Sequence, residues 1–100
     1  MRIKKFHYKM QPLLTKKKGR VNYGVHTENW YSQKKLSGTG WKISGRYVNE
    51  SDGTVKDGDG FIYVSSDDYP KGTEVDTSLG RGKVYDTGSG KGNIDIYTNW

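Results

Sequence analysis

Cysteine is absent from the 100 residues. That excludes a disulfide framework and a thiolate zinc site, and it leaves the compartment open. Histidine is scarce: His7 and His26 are too few and too isolated for a metal site, so no metal and no other cofactor is expected. Only 31% of the residues are hydrophobic, and no apolar run reaches the length of a membrane span or a secretory h-region. If the protein acts outside a cell, something else is expected to deliver it, or this chain is a processed part. No segment offers an amphipathic helix of ten or more residues, and no internal repeat is visible. Acid is missing altogether from residues 1–20, which hold eight Lys or Arg. The other eighty residues hold nine bases and eleven acids, a net of −2. The overall charge of +6 therefore belongs to an N-terminal arm, suited to phosphate, anionic lipid or an anionic wall polymer, or simply to water.

What the chain does have is glycine, 14 residues, and aromatics, with eight Tyr and three Trp. Glycines among aromatic and β-branched residues predict short strands and tight turns. One hundred residues make one domain with a small core. Strand material is read at Val21–Val25, Trp30-Tyr31, Trp41–Val48, Phe61–Val64, Glu74–Thr77, Gly80–Tyr85 and Ile94–Tyr97. Residues 49–60 read as a polar turn region, and Tyr69–Thr73 as a turn set by Pro70 and Gly72. Six or so short strands need closure to hide their edges, so the expectation is all-β and a small barrel. Residues 1–20 are set apart as a basic arm or edge strand, and 21–100 as the barrel domain.

Several motifs are weaker than they look. Gly88-Ser-Gly-Lys-Gly92 lacks both the earlier glycine and the hydroxyl residue of a phosphate loop. Asp57-Gly-Asp-Gly60 is followed by Phe61 and Ile62 where a calcium loop needs a ligand and a glycine, so a hairpin turn is the better reading. Trp30, Tyr31, Trp41 and Tyr69 suit either stacking on a ligand or the core. Lys91 suits a ligand-binding loop or plain solvent, and His26 with Glu28 would lie near a groove.

The C-terminal part carries an ordered set: Phe61–Thr73 with its Pro-x-Gly-Thr turn, Asp86-Thr-Gly88, Lys91-Gly92 and Ile94-Asp-Ile-Tyr97. In this set the chain resembles the 3D (three-aspartate) domain shared by MltA-type lytic transglycosylases and stationary-phase survival or resuscitation-type cell-wall proteins. Phage-associated cell-wall enzymes carry it too. The resemblance covers residues 60–98 and extends back to Asn29–Gln33; it does not cover residues 1–20. It implies a double-psi β-barrel acting on peptidoglycan glycan strands. It also implies that Asp95 is the catalytic acid/base and Asp86 its partner, with Ser65, Thr87, Lys91, Tyr31 and Tyr69 binding substrate. Two departures stand out. Ser65 takes the position of the family's first aspartate, although Asp67 and Asp68 are close by. The loop from Asp86 to Asp95 is about two residues shorter than the family's usual one.

The chemistry expected of such a site needs one principal carboxyl group. Asp95 would protonate the glycosidic oxygen, then take the proton of the C6 hydroxyl, leaving a 1,6-anhydro sugar. Its neighbours Ile94 and Ile96, or the Asp86 carboxylate, would raise its pKa. The alternatives are a wall-binding or phage structural module that has lost the chemistry, and a nucleic-acid-binding barrel. The net-acidic body speaks against the latter, so nucleic acid is not an expected partner. The expected place of action is the bacterial cell wall, reached by a phage-encoded, holin-released, particle-borne or processed protein, with residues 1–20 touching its anionic polymers.

Overall fold

A computed structural model describes residues 13–32 and 45–100. Those residues are all-β: eight strands and no helix. The strands are β1 (Arg20–Tyr23), β2 (His26–Ser32), β3 (Tyr47–Val48), β4 (Val55–Lys56), β5 (Ile62–Ser66), β6 (Glu74–Thr77), β7 (Gly80–Asp86) and β8 (Asn93–Thr98). No helix among the described residues is long and apolar enough to cross a membrane.

The strands form one open mixed sheet in the order β1-β2-β8-β5-β4-β3, with β7 joined to β5 and β6 joined to β7. Two pairings are parallel, β2 with β8 and β5 with β7, and both join strands that do not follow one another in the chain. The rest are antiparallel.

Strand β8 shows why the sheet has two unlike faces. Successive side chains of a strand point to opposite sides. Ile94 and Ile96 therefore enter the main core with Leu14, Val21, Ile62, Val64, Val75 and Val84, against which Trp30, Leu79 and Trp100 pack. Asp95 and Tyr97 point the other way. There a smaller cluster of Val55, Tyr63 and Tyr97 is flanked by Val48 and Tyr85. Each buried aliphatic side chain contributes about 1.5–3 kcal/mol, so the eight-residue core carries most of the fold. The tyrosine face is left free to hold polar groups.

The structure refines the strand assignments. The apolar run at Phe61–Val64 becomes β5, buried along its whole length. The Asp57–Gly60 turn is a hairpin turn, closed by the Asp57 carboxylate on the N–H groups of Asp59 and Phe61. The turn region at 49–60 also holds a short strand, β4, whose two residues are too few to show a period. Of the strand read at Trp41–Val48, only Tyr47–Val48 is seen as β3; residues 41–44, like 1–12, lie outside the described residues. Within the basic segment, Leu14 is buried in the core and its N–H donates to Ser78 Oγ. Lys16–Lys18 form an exposed turn capped by the Thr15 hydroxyl.

Candidate functional site

One rung of residues crosses the sheet on its tyrosine face. Asn29 of β2 stands beside Asp95 of β8, Asp95 beside Ser65 of β5, and Ser65 beside Asp86 of β7. The last pairing depends on a β-bulge. The β5–β7 register slips between Val64 and Ser65, so Asp86 rather than Tyr85 faces Ser65. A one-residue slip sends a side chain to the opposite face. The bulge therefore brings Asp86 onto the face of Asp95, as bulges do near functional sites.

The rung borders a cleft of about 300 Å³ lined by Tyr31, Ser65, Asp86, Thr87, Gly88, Asp95 and Tyr97. Five residues singled out from the sequence thus meet: Asp95, Asp86, Ser65, Thr87 and Tyr31. Tyr31 and Tyr97 form one wall, in edge contact with centroids 5.5 Å apart. Burial pushes the Tyr97 phenol well above its ordinary pKa, so it stays a neutral hydroxyl.

Asp95 is half-buried, and its pKa is raised chiefly by that burial. The negative charge of Asp67 adds to the rise, while a hydrogen bond from Asn29 and the charge of Arg20 oppose it. Two expectations are corrected here. Ile94 and Ile96 point into the core, away from the Asp95 carboxyl, so they do not wall it. The neighbouring carboxylate that raises its pKa is Asp67, where the sequence points to Asp86. Asp86 and Asp95 have Ser65 between them, which sets their backbones two strand spacings apart, about 10 Å. Asp86 accepts a hydrogen bond from the Thr87 N–H.

Asn29 links the site to a cation. The Arg20 guanidinium donates to Asn29 Oδ1 at 2.8 Å. That leaves the Asn29 amide NH2 to donate to the Asp95 carboxyl.

The loop between the aspartates is held by carboxylates. Asp67 accepts from the N–H groups of Gly88 and Gly90 at 2.8 and 2.7 Å, and Asp68 from that of Gly92 at 2.7 Å. The Gly88 and Gly90 bonds hold Asp67 below the usual carboxylate range. Gly88, Gly90 and Gly92 have φ of 105°, 88° and 80°, a region that favours glycine, so the loop's composition follows from its path. Its N–H groups already face two built-in anions, which is the physical reason it is no phosphate cradle.

The remaining sequence candidates fall elsewhere. Lys91 is exposed on the loop. Tyr69 lines a different cavity, beyond the loop. Trp30 packs against the core in edge contact with Trp100. Trp41 lies outside the described residues. Glu28 is fully buried on the core face, bonded to the Ser78 N–H and hydroxyl and in contact with His26. No group of metal-binding side chains occurs among the described residues. Sequence reasoning missed Asn29, Tyr97 and the role of Asp67. The adjacent Asp67-Asp68 pair was the one available signal; Asn29 is revealed only by the parallel β2–β8 register. No family model, curated protein or solved structure matches this chain.

Proposed function

We propose that this chain is a peptidoglycan-cleaving domain of the 3D type, a lytic transglycosylase acting on the MurNAc–GlcNAc bond. Its sheet is then a variant of the double-psi β-barrel, a reading supported by the two parallel pairs, β2/β8 and β5/β7, joined through antiparallel β8/β5. The observation that carries the function is the setting of Asp95. It is a half-buried carboxyl biased toward its protonated form, at the floor of a polar cleft with a tyrosine wall.

Glycosidic cleavage needs a proton on the leaving oxygen as positive charge develops on the sugar ring. Asp95 supplies it. As a carboxylate it then removes the proton of the C6 hydroxyl, whose oxygen closes on C1 to give 1,6-anhydro-MurNAc. The proton count is restored in one turnover and no water is consumed. Asn29 stabilises the carboxylate form between the two steps, and Asp67 favours the return of the proton. Asp86 lines the cleft opposite as a second negative charge, suited to the oxocarbenium-like ring. Tyr31 supports the sugar face, and Thr87 and Ser65 offer hydrogen bonds. The protein acts at the cell wall, and the exposed Lys16–Lys18 turn suits its anionic polymers.

A second reading is favoured by one observation. Ser65 stands at the centre of the rung where the resemblance expects an acid, so the same cleft would serve a non-catalytic wall-binding or phage structural module. Mass spectrometry of purified peptidoglycan digested by the wild type and by Asp95→Asn separates the two. Anhydro-muropeptides from the wild type alone support the transglycosylase. Reducing-end products mean a hydrolase, and no soluble product together with retained sacculus binding means the module.

A further inference from the structure

A second cavity, of about 440 Å³, lies away from the acid rung. It opens between the β1–β2 turn and strand β6, in the size range of small-molecule sites. Its lining joins rings to forked polar groups. Tyr23 and His26 lie with centroids 6.0 Å apart at a 48° tilt, and Tyr69 is 39% exposed. Arg81 and Asp76 form an ion pair at 3.2 Å, and Glu74 and Val75 complete the β6 side.

This combination suits an amphipathic, hydroxyl-rich ligand. Arg81 answers the charge of Asp76 and Glu74 adds a further carboxylate, so the site is not built for an anion. The guanidinium offers donors and the carboxylates acceptors side by side, which suits vicinal hydroxyls. The tyrosine faces suit a C–H surface. A sugar ring has both.

The cavity is tied to the catalytic loop from two sides. Tyr69 directly follows Asp67 and Asp68, which hold Gly88, Gly90 and Gly92. His26 directly precedes Thr27, whose N–H donates to the Gly92 carbonyl at 2.9 Å. The glycine loop, whose Gly88 lines the cleft of Asp95, is thus held by segments that adjoin this cavity. Asn93, where β8 begins opposite Thr27, is two residues from Asp95, about 7 Å along the strand.

We propose that this cavity is a second saccharide subsite, taking an N-acetylhexosamine ring of the same glycan strand whose bond meets Asp95, with Tyr69 as its stacking platform and Arg81 as its hydroxyl ligand. The identity of the strand rests on the transglycosylase reading above; the existence of a sugar site does not. It gives Tyr69, remote from the acids, a role in substrate binding. The strand then passes over the glycine loop beside Lys91.

The test is a titration of the 15N-labelled Asp95→Asn protein with a β-1,4-linked N-acetylglucosamine tetrasaccharide, followed by amide shifts. The expected result is saturable shifts at Thr73, Glu74 and His26. Tyr69→Ala should weaken this binding roughly tenfold, so that the same shifts need about ten times more sugar, with Arg81→Ala acting in the same direction. Both side chains are well exposed, so neither change threatens folding. Shifts confined to Thr87, Gly88 and Tyr97 would overturn the subsite and leave the catalytic reading standing. Shifts at Thr73 and Glu74 with ethylamine but not with the sugar would overturn it in favour of an ammonium site. No shift with the tetrasaccharide would overturn it as well. Saturable binding here, together with a wild type that releases no muropeptides, would sustain the subsite and sink the transglycosylase.

Discussion

Replacing Ser78 by alanine removes one oxygen atom, and the structure assigns that atom two tasks. Ser78 Oγ donates to Glu28 Oε1 at 2.6 Å and accepts the Leu14 N–H at 3.0 Å. Glu28 is 0% exposed and Leu14 is 1% exposed, so water has no ready path to either orphaned group. A buried donor or acceptor left unpaired costs about 1–3 kcal/mol, and more when it is charged. Two such groups, one of them a carboxylate oxygen, give a loss of about 3 kcal/mol. Against a typical domain stability of about 5–15 kcal/mol that is a large share. At about 4–8 °C per kcal/mol for a chain of this size, Tm should fall by about 12–24 °C. The backbone N–H of Ser78 still bonds Glu28 Oε2 at 2.7 Å, so the carboxylate keeps one strong partner and the fold should survive. Glu28→Gln is the milder control. Its amide oxygen takes the Ser78 N–H and its NH2 donates to Ser78 Oγ, for a loss of about 1 kcal/mol. Thermal and urea melts followed by tryptophan fluorescence read both, since Trp30 and Trp100 pack on the same core. A Ser78→Ala protein within about 0.5 kcal/mol of wild type would refute the reasoning, because the clamp would then be replaceable by water.

Three further outcomes are expected. Asp95→Asn should lower turnover by about 10²–10⁴-fold while raising the urea midpoint at neutral pH. The folded state binds the Asp95 proton more tightly than the unfolded chain does, so stability falls as pH rises through the folded pKa, and the amide removes that loss; a less stable Asn variant at neutral pH sinks this account. Turnover should fall as pH climbs through the Asp95 pKa, and Asp67→Asn, by removing a neighbouring negative charge, should move that falling limb to lower pH. An unmoved limb in the kcat profile would mean that Asp67 only holds the loop. Gly53→Ala should cost about 2–3 kcal/mol, because Gly53 has φ of +76° and its new Cβ would overlap the Trp100 indole; denaturation curves matching the wild type would count against the packing described for Trp100.

Much of the fold was legible because its signals are local. Phe61–Val64 is apolar without a break, and β5 is buried on both faces. Glu74–Thr77 alternates, and β6 exposes and buries in step. Val55-Lys56 was hidden in a polar stretch because two residues carry no period. Asp86, Asp95, Ser65 and Thr87 were singled out through the ordered motif of the C-terminal half and Tyr31 through Asn29–Gln33, and the structure brings them to one cleft. Tyr69 and Lys91 belong to the same motif yet lie outside it, because neighbours in sequence on either side of a tight loop face different spaces.

By itself, the sequence determined what depends on neighbours along the chain: an all-β composition, the strand-sized runs, the glycine positions that need positive φ, and the confinement of the basic excess to the first twenty residues. Only the tertiary structure decided what depends on register between distant strands. The parallel pairing of β2 with β8 puts Asn29 on Asp95, the bulge in β5–β7 turns Asp86 to the same face, and the Asp67 carboxylate closes the glycine loop. A one-residue slip in either register would send the same side chains to the opposite face. No local pattern encodes that choice; it is made by which slip buries Ile94, Ile96 and Val64 in the core.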